Sequence, residues 1–408
     1  IPSRAIDIES AIGLAVDQTR PLFRNLQNKK IAIAVGSRGI SHLAAIIQEI
    51  VGQLRRAEAE PFVVGAMGSH GGGTEQGQRE ILRHLGVDEI SLGVAVRTSL
   101  ETVQPGKTRS GLAFFMDRCA WESDGVFLIN RIKPHTDFRG ALGSGLLKMM
   151  TVGLGNLEGA QQFHRLSTFR DSVEVLQEFG DAVAATGKIL GGLAVIENAR
   201  HQTEEVHVLP AEEMRARELT LFERARSLMP SLPVSRADLL ILDEIGKNIS
   251  GVGMDPNVTG RWYRLGSCWQ ETPDVTRIAV LDVTDASGGN AVGIGLADFC
   301  SRRAIEKMDP RATALNAVTA GHLVPAKIPI TSENDRETLE FALASLAAAG
   351  QPEELHIVRA KNTLELEHLQ VSEPALRTLT DSSKFEVIRP PESLQFDAAG
   401  RLAPLPSG

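Results

Sequence analysis

Ile31-Ala32-Ile33-Ala34-Val35, running into Gly36-Ser37-Arg38-Gly39, is the stretch from which the fold is read. A short apolar run that stops at a glycine turn has the pattern of a strand buried on both faces, as strands of parallel sheets are. Ser41 is then placed to cap a helix in which Leu43, Ile46, Ile47, Ile50, Val51 and Leu54 recur at helical spacing. The same strand–turn–helix unit repeats with a strand over 62–67, the turn Gly68-Ser69-His70-Gly71-Gly72-Gly73, and a helix opened by Thr74 and stopped near Gly86. A further strand over 126–130 leads into Lys133-Pro134-His135. Strands alternating with helices imply an α/β fold whose mainly parallel sheet is covered on both faces.

Outward from that segment, the pattern continues with a helix over 170–185, a strand over 190–196 and a charged helix over 211–228. Pro230 and Pro233 mark a boundary, beyond which strands over 239–242 and 278–283 and a helix over 335–349, capped by Ser332 or Asn334 and ended by Gly350, restore the α/β rhythm. At 408 residues the chain is long enough for two cores. The expectation is two α/β domains with mainly parallel sheets, 1–229 and 230–408, with the active site in the cleft between them. The Pro/Gly-rich tail after Pro390 is expected to be loose.

A formal net charge of −8 supplies no general attraction to nucleic acid or anionic membranes. Cys119, Cys268 and Cys300 are scattered without a C-x-x-C spacing, which argues against a disulfide framework or a cysteine-ligated zinc. No apolar stretch approaches the roughly 18 residues of a membrane span, and Ile1-Pro2-Ser3-Arg4 lacks a signal-peptide pattern. A cytoplasmic protein that works on a small molecule is the expectation; the sequence does not specify an oligomeric state.

The chemistry is concentrated between Lys133 and His164. Lys133-Pro134-His135-Thr136-Asp137 is followed by glycines at 140, 143 and 145, then Lys148, Gly153, Gly155 and His164. Glycines between two histidines and a lysine let a backbone approach a ligand closely. A P-loop is excluded, because Leu147 and Met149 flank Lys148 where a Gly-Lys-Ser/Thr sequence is required. Any one histidine taken alone reads more readily as an ordinary polar loop residue than as a catalytic one. Arg38, His70 and His135, however, each follow directly on a strand end, where open α/β sheets bind ligands.

With these residues in view, the chain resembles the nickel-dependent lactate racemase family. The resemblance rests on Gly68-Ser69-His70 with Thr74-Glu75, on Pro134-His135, and on Lys148 followed sixteen residues later by His164. It implies a racemase or epimerase that inverts C2 of a 2-hydroxy acid by reversible hydride transfer to a nickel pincer nucleotide. In its terms His70 and His135 are the acid/base pair, Lys148 the residue that can bond covalently to the cofactor, and His164 the nickel ligand. Ser37 and Arg38 join Lys148 as cofactor-binding residues, Lys247 and Arg261 are candidates for the substrate carboxylate, and cofactor-maturation enzymes are implied partners. Two departures stand out. Val35-Gly36-Ser37-Arg38-Gly39 replaces the family's Asp-x-Thr-Arg-Pro, keeping the arginine but not the acid, and the segment from His135 to Lys148 is three residues longer than usual. The competing readings are a simple metal enzyme in which His70, His135 and His164 bind one ion directly, and a binding or non-catalytic member of the fold.

Overall fold

The computed structural model describes residues 6–263, 273–350, 354–381 and 384–405; Cys268 lies outside them. The chain divides into two compact units, Pro2–Met229 and Pro230–Gly408, each α/β with a mainly parallel sheet. No described helix is long and apolar enough to cross a membrane.

In the first unit, β1 (Lys30–Val35), β2 (Glu60–Gly65), β3 (Val96–Arg97), β6 (Gly125–Arg131), β7 (Ile189–Glu197) and β8 (Thr203–Pro210) form one sheet in the order β3-β2-β1-β6-β7-β8. All neighbours are parallel except β7 and β8. β4 (Thr102–Lys107) and β5 (Ala113–Asp117) form a separate antiparallel hairpin. The alternation in β1 explains both faces. Ile31, Ile33 and Val35 pack against the buried stripes of α1 (Ile8–Gln18) and α2 (Leu43–Arg56), including Ile12, Ile46, Ile47 and Ile50. The small Ala32 and Ala34 face the opposite core, which contains Phe163, Leu176, Phe179 and Phe222 of α4 (Asn156–Ser167), α5 (Ser172–Ala184) and α6 (Ala211–Ser227).

The start of α2 differs from expectation. Its cap position is His42, which adopts a left-handed conformation (φ 60°), and no side chain caps the helix. Ser41 is used otherwise: its N–H donates to Glu197 Oε1 at 2.7 Å and its carbonyl accepts from Thr203 Oγ1 at 3.1 Å, fastening the turn after β1 to the ends of β7 and β8. Thr74 does cap α3 (Glu75–His84), its Oγ1 accepting the Gly77 N–H at 3.0 Å, and Gly86 follows at φ 74°.

The second unit carries β9 (Arg236–Leu242), β10 (Asp274–Val280), β11 (Phe299–Ser301), β12 (Ile330–Ser332), β13 (Ile357–Ala360) and β14 (Leu369–Val371) in the order β12-β11-β10-β9-β13-β14. Only the β13–β14 pair is antiparallel. Its helices include α7 (Pro310–Ala320) and α8 (Asp335–Ala348); Asn334 rather than Ser332 caps α8, accepting the Glu337 N–H at 3.1 Å. The tail is better fastened than its composition suggests, since Leu402 is buried and its N–H donates to Asp335 Oδ2 at 2.9 Å.

Removing the α3 cap with Thr74→Ala is expected to lower the unfolding free energy of the first unit by about 1 kcal/mol. Urea titration followed by circular dichroism measures this, and an unchanged midpoint would show that the cap contributes nothing.

Candidate active site

The strand order of the first sheet reverses between β1 and β6, which grow outward in opposite directions. At such a switch point the loops leaving the two strands diverge and open a crevice at their carboxyl ends. Gly36-Ser37-Arg38 leaves β1, and Lys133-Pro134-His135 follows β6.

A third piece holds these loops in place. After the helical turn Leu146–Lys148 the backbone widens into a π turn, Met149–Gly153, closed by the Leu154 N–H on Met149 O at 2.8 Å. Turns of this kind recur at functional sites. The Gly68 N–H donates to Gly153 O at 3.3 Å, and a Cβ on Gly68 would lie 3.1 Å from Val152 O at a φ of 59°. A Cβ on Gly36 would lie 3.4 Å from Met149 Cε. Both strand-end turns, with Ser37 and His70, are therefore packed on the segment that carries Lys148. Ser37 Oγ and His70 Nδ1 are in hydrogen-bond contact.

His135 and Lys148 meet directly, Nζ against Nε2. The other ring nitrogen, Nδ1, accepts the backbone N–H of Asp137 at 3.0 Å. A backbone N–H can only donate, so Nδ1 carries the lone pair and the proton of the neutral ring sits on Nε2; the network assigns this tautomer. Nε2–H then points at Nζ, and the contact is satisfied when Lys148 is a free amine. The electrostatics run the same way. Desolvation first, with opposition from Asp137, and then the charges of Arg38 and Lys133 bring the Lys148 pKa down to about 8. His135 is held well below the ordinary histidine range, by desolvation first and by Lys148 next. Its ring stacks on Phe138 with centroids 4.4 Å apart, and Phe138 meets Phe163 edge-on at 6.0 Å, beside His164.

Four of the residues singled out in the sequence, Arg38, His135, Lys148 and His164, thus act on one another: His164 opposes protonation of His135, and Arg38 opposes protonation of Lys148. Ser37 and His70 form an adjoining pair. Lys247 and Arg261 belong to the second unit. The Lys247 ammonium donates to Gly251 O. The Arg261 guanidinium is engaged with Asp298, at 3.1 Å to each oxygen, and with the carbonyls of Leu296, Val275 and Thr276. That is the structural ion pair expected of an arginine that fastens its own domain.

Sequence reasoning left out three acids. Asp137 is the one carboxylate among the causes acting on Arg38, His135 and Lys148, and its main chain fixes the His135 tautomer. Glu197 is buried, accepts the Ser41 N–H and pairs with Arg131 at the end of β6. Glu218 accepts the Leu147 N–H at 3.0 Å from α6. Its sequence signal was available: position 218 falls on the same helical face as Met214, Leu221, Phe222 and Ala225, all buried. A carboxylate on an apolar stripe needs a buried partner.

The Lys148–His135 contact predicts a linked titration. Where His135 titrates, below the Lys148 pKa of about 8, Lys148 carries a proton, so Lys148→Met removes a cation there and the His135 pKa is expected to rise while desolvation still keeps it below the ordinary value. Histidine Cε1–H NMR measures it, and an unmoved His135 resonance would contradict the contact.

The chain matches no protein-family model and no curated protein sequence. Among solved structures it is similar to the lactate racemase apoprotein from Thermoanaerobacterium thermosaccharolyticum, at a TM-score of 0.57 and 12% identity, over 89% of this chain and 93% of that one. The likeness is one of fold, and it spans both units.

Proposed function

We propose that this protein is a racemase or epimerase of 2-hydroxy acids, working with a nickel pincer nucleotide. The observation that carries the reading is the direct contact of Lys148 with His135, with His164 nearby, at the switch point of a sheet whose fold is similar to that of lactate racemase.

The residues fit such a group. An amine with a pKa near 8 is available as a nucleophile close to neutral pH, as covalent attachment requires. His164 offers an imidazole, a suitable nickel ligand. Arg38 and Lys133 make the surroundings cationic, with Asp137 as the balancing acid, which suits a phosphate or carboxylate. Lys148, Ser37 and Arg38 would hold the group and His164 its metal. When bound, it supplies the hydride acceptor that spares the enzyme from forming a carbanion beside a carboxylate.

The chain's own residues manage the protons and the orientation. His70 and His135 serve as the two acid/base groups, one for each enantiomer's hydroxyl, and Arg38 orients the carboxylate. If Lys148 held the group covalently, it would stay uncharged below about pH 8 as well, and His135 would be spared the second of the effects that lower its pKa, moving toward the basicity a proton acceptor needs. The alternative in which three histidines bind an ion directly has no comparable support, since no group of three His, Cys, Asp or Glu suited to a metal occurs among the described residues.

Intact-protein mass spectrometry with nickel analysis tests the reading, after co-expression with the cofactor-maturation enzymes and beside Lys148→Ala. A Lys148-dependent adduct with stoichiometric nickel is expected. On the loaded enzyme, His70→Ala and His135→Ala should each lower turnover of 2-hydroxy acid enantiomers about 10²- to 10⁴-fold. Neither nickel nor adduct, under conditions that load a known lactate racemase, would overturn the proposal and favour a binding role.

A further inference from the structure

Glu218 is only 1% exposed, yet no arginine, lysine or histidine is among the groups acting on its charge. Its partners are main chain: Oε2 accepts the Leu147 N–H at 3.0 Å, and the neighbouring Leu146 N–H also favours the charged carboxylate. These are the first two donors of the turn that ends at Lys148. The approach is so close that a Cβ on Gly145 would fall 2.0 Å from Glu218 Oε1, a position only glycine can occupy without displacing the carboxylate. From the other side, Asn130 Nδ2, at the end of β6, donates to Gly145 O at 2.7 Å.

The turn is therefore fastened by two side chains far from it in sequence. Asn130 ties it to the strand that leads to His135, and Glu218 ties it to α6. Neither touches the Lys148 amine or the His135 ring in the contacts described above, but together they fix where Lys148 starts. We propose that Glu218 is a positioning residue that, by holding the amino end of the Leu146–Lys148 turn, keeps the Lys148 amine against His135 Nε2. Its function in catalysis rests on the reading given under Proposed function; its effect on Lys148 does not.

Burial raises the Glu218 pKa to about 7, against the pull of the two backbone donors. The site thus retains a costly buried carboxyl where an apolar side chain would pack at less cost, which is understandable if the two N–H groups would otherwise be orphaned.

The test uses the full-length, cofactor-free protein and needs no turnover. Lysine acetylation by acetic anhydride across pH, read by peptide mass spectrometry, gives the midpoint of Lys148, with Asp137, Arg38, Lys133 and His135 as the charged and titratable groups around it. With Glu218→Ala the turn is released and the amine gains water. Its midpoint should rise by about one unit, so that the fraction present as free amine at pH 8, read from the pH profile, falls about five-fold. Glu218→Gln keeps the size and one acceptor, and should shift the midpoint in the same direction by less. A folded variant of either kind with an unchanged Lys148 midpoint would overturn the proposal, whether or not a nickel adduct forms in the separate loading experiment. If neither variant folds, amide exchange in the wild-type protein decides: protected Leu146 and Leu147 amides uphold the turn's fastening, and amides exchanging at open-loop rates refute it.

Discussion

Everything in the candidate site depends on the pairing of β1 with β6. The two strands are adjacent and in register from Ile31 opposite Gly125 to Val35 opposite Ile129, so their carboxyl ends finish side by side although some ninety residues separate them. A sheet that reverses its winding there must send the two following loops apart, and the gap is lined by whatever those loops carry. Here they carry Ser37 and Arg38 on one side and Lys133 and His135 on the other. The apolar character of Ile31, Ile33, Leu128 and Ile129, all fully buried, is what holds that register. The crevice is thus a consequence of core packing before it has any chemistry.

The chemistry then follows from a small number of obligatory hydrogen bonds. The Asp137 N–H must donate, and it donates to His135. That choice decides the imidazole tautomer, and the tautomer decides what Lys148 can be in the contact. The same logic fixes the scaffold. The N–H groups of Ser41, at the end of the loop that carries Ser37 and Arg38, and of Leu147, next to Lys148 in its turn, are taken by buried glutamates from other elements. Two buried acids therefore fasten the segments that carry the cations and imidazoles of the site. A carboxylate can accept several backbone donors at once, which is why this task falls to glutamate and not to a neutral side chain.

This distinction also explains what was legible in the sequence. The strand runs of β1 and β6, the stripe of α2 and the Thr74 cap are local signals, each written within one element, and all appear where the periodicity places them. So do the polar residues at strand ends, because position after a strand is itself local. What escaped was decided elsewhere in space. β3 has only two residues, and β8 reads Thr-Glu-Glu-Val-His-Val-Leu-Pro, too charged at its start to announce a strand, because it pairs on one side only. The hairpin of β4 and β5 is interrupted by Pro105 and Gly106, where its register shifts. Ser41 looks like a helix cap by position, yet its main chain is claimed by Glu197 and Thr203, more than 150 residues away.

Charge balance across the crevice follows from the same placement. A cluster containing Arg38, Lys133 and Lys148 around a desolvated imidazole needs negative charge nearby, or its cations repel one another and its amine loses its proton too readily. Val35 cannot supply that charge; it is buried in the core, behind the turn. Asp137 acts on Arg38, His135 and Lys148 alike, raising the pKa of each against the effects of burial. It lies within the His135–Lys148 segment, in the loop after β6. The negative charge that Arg38 and Lys148 require is thus supplied from the loop after β6, and Val35, the last residue of β1, contributes none.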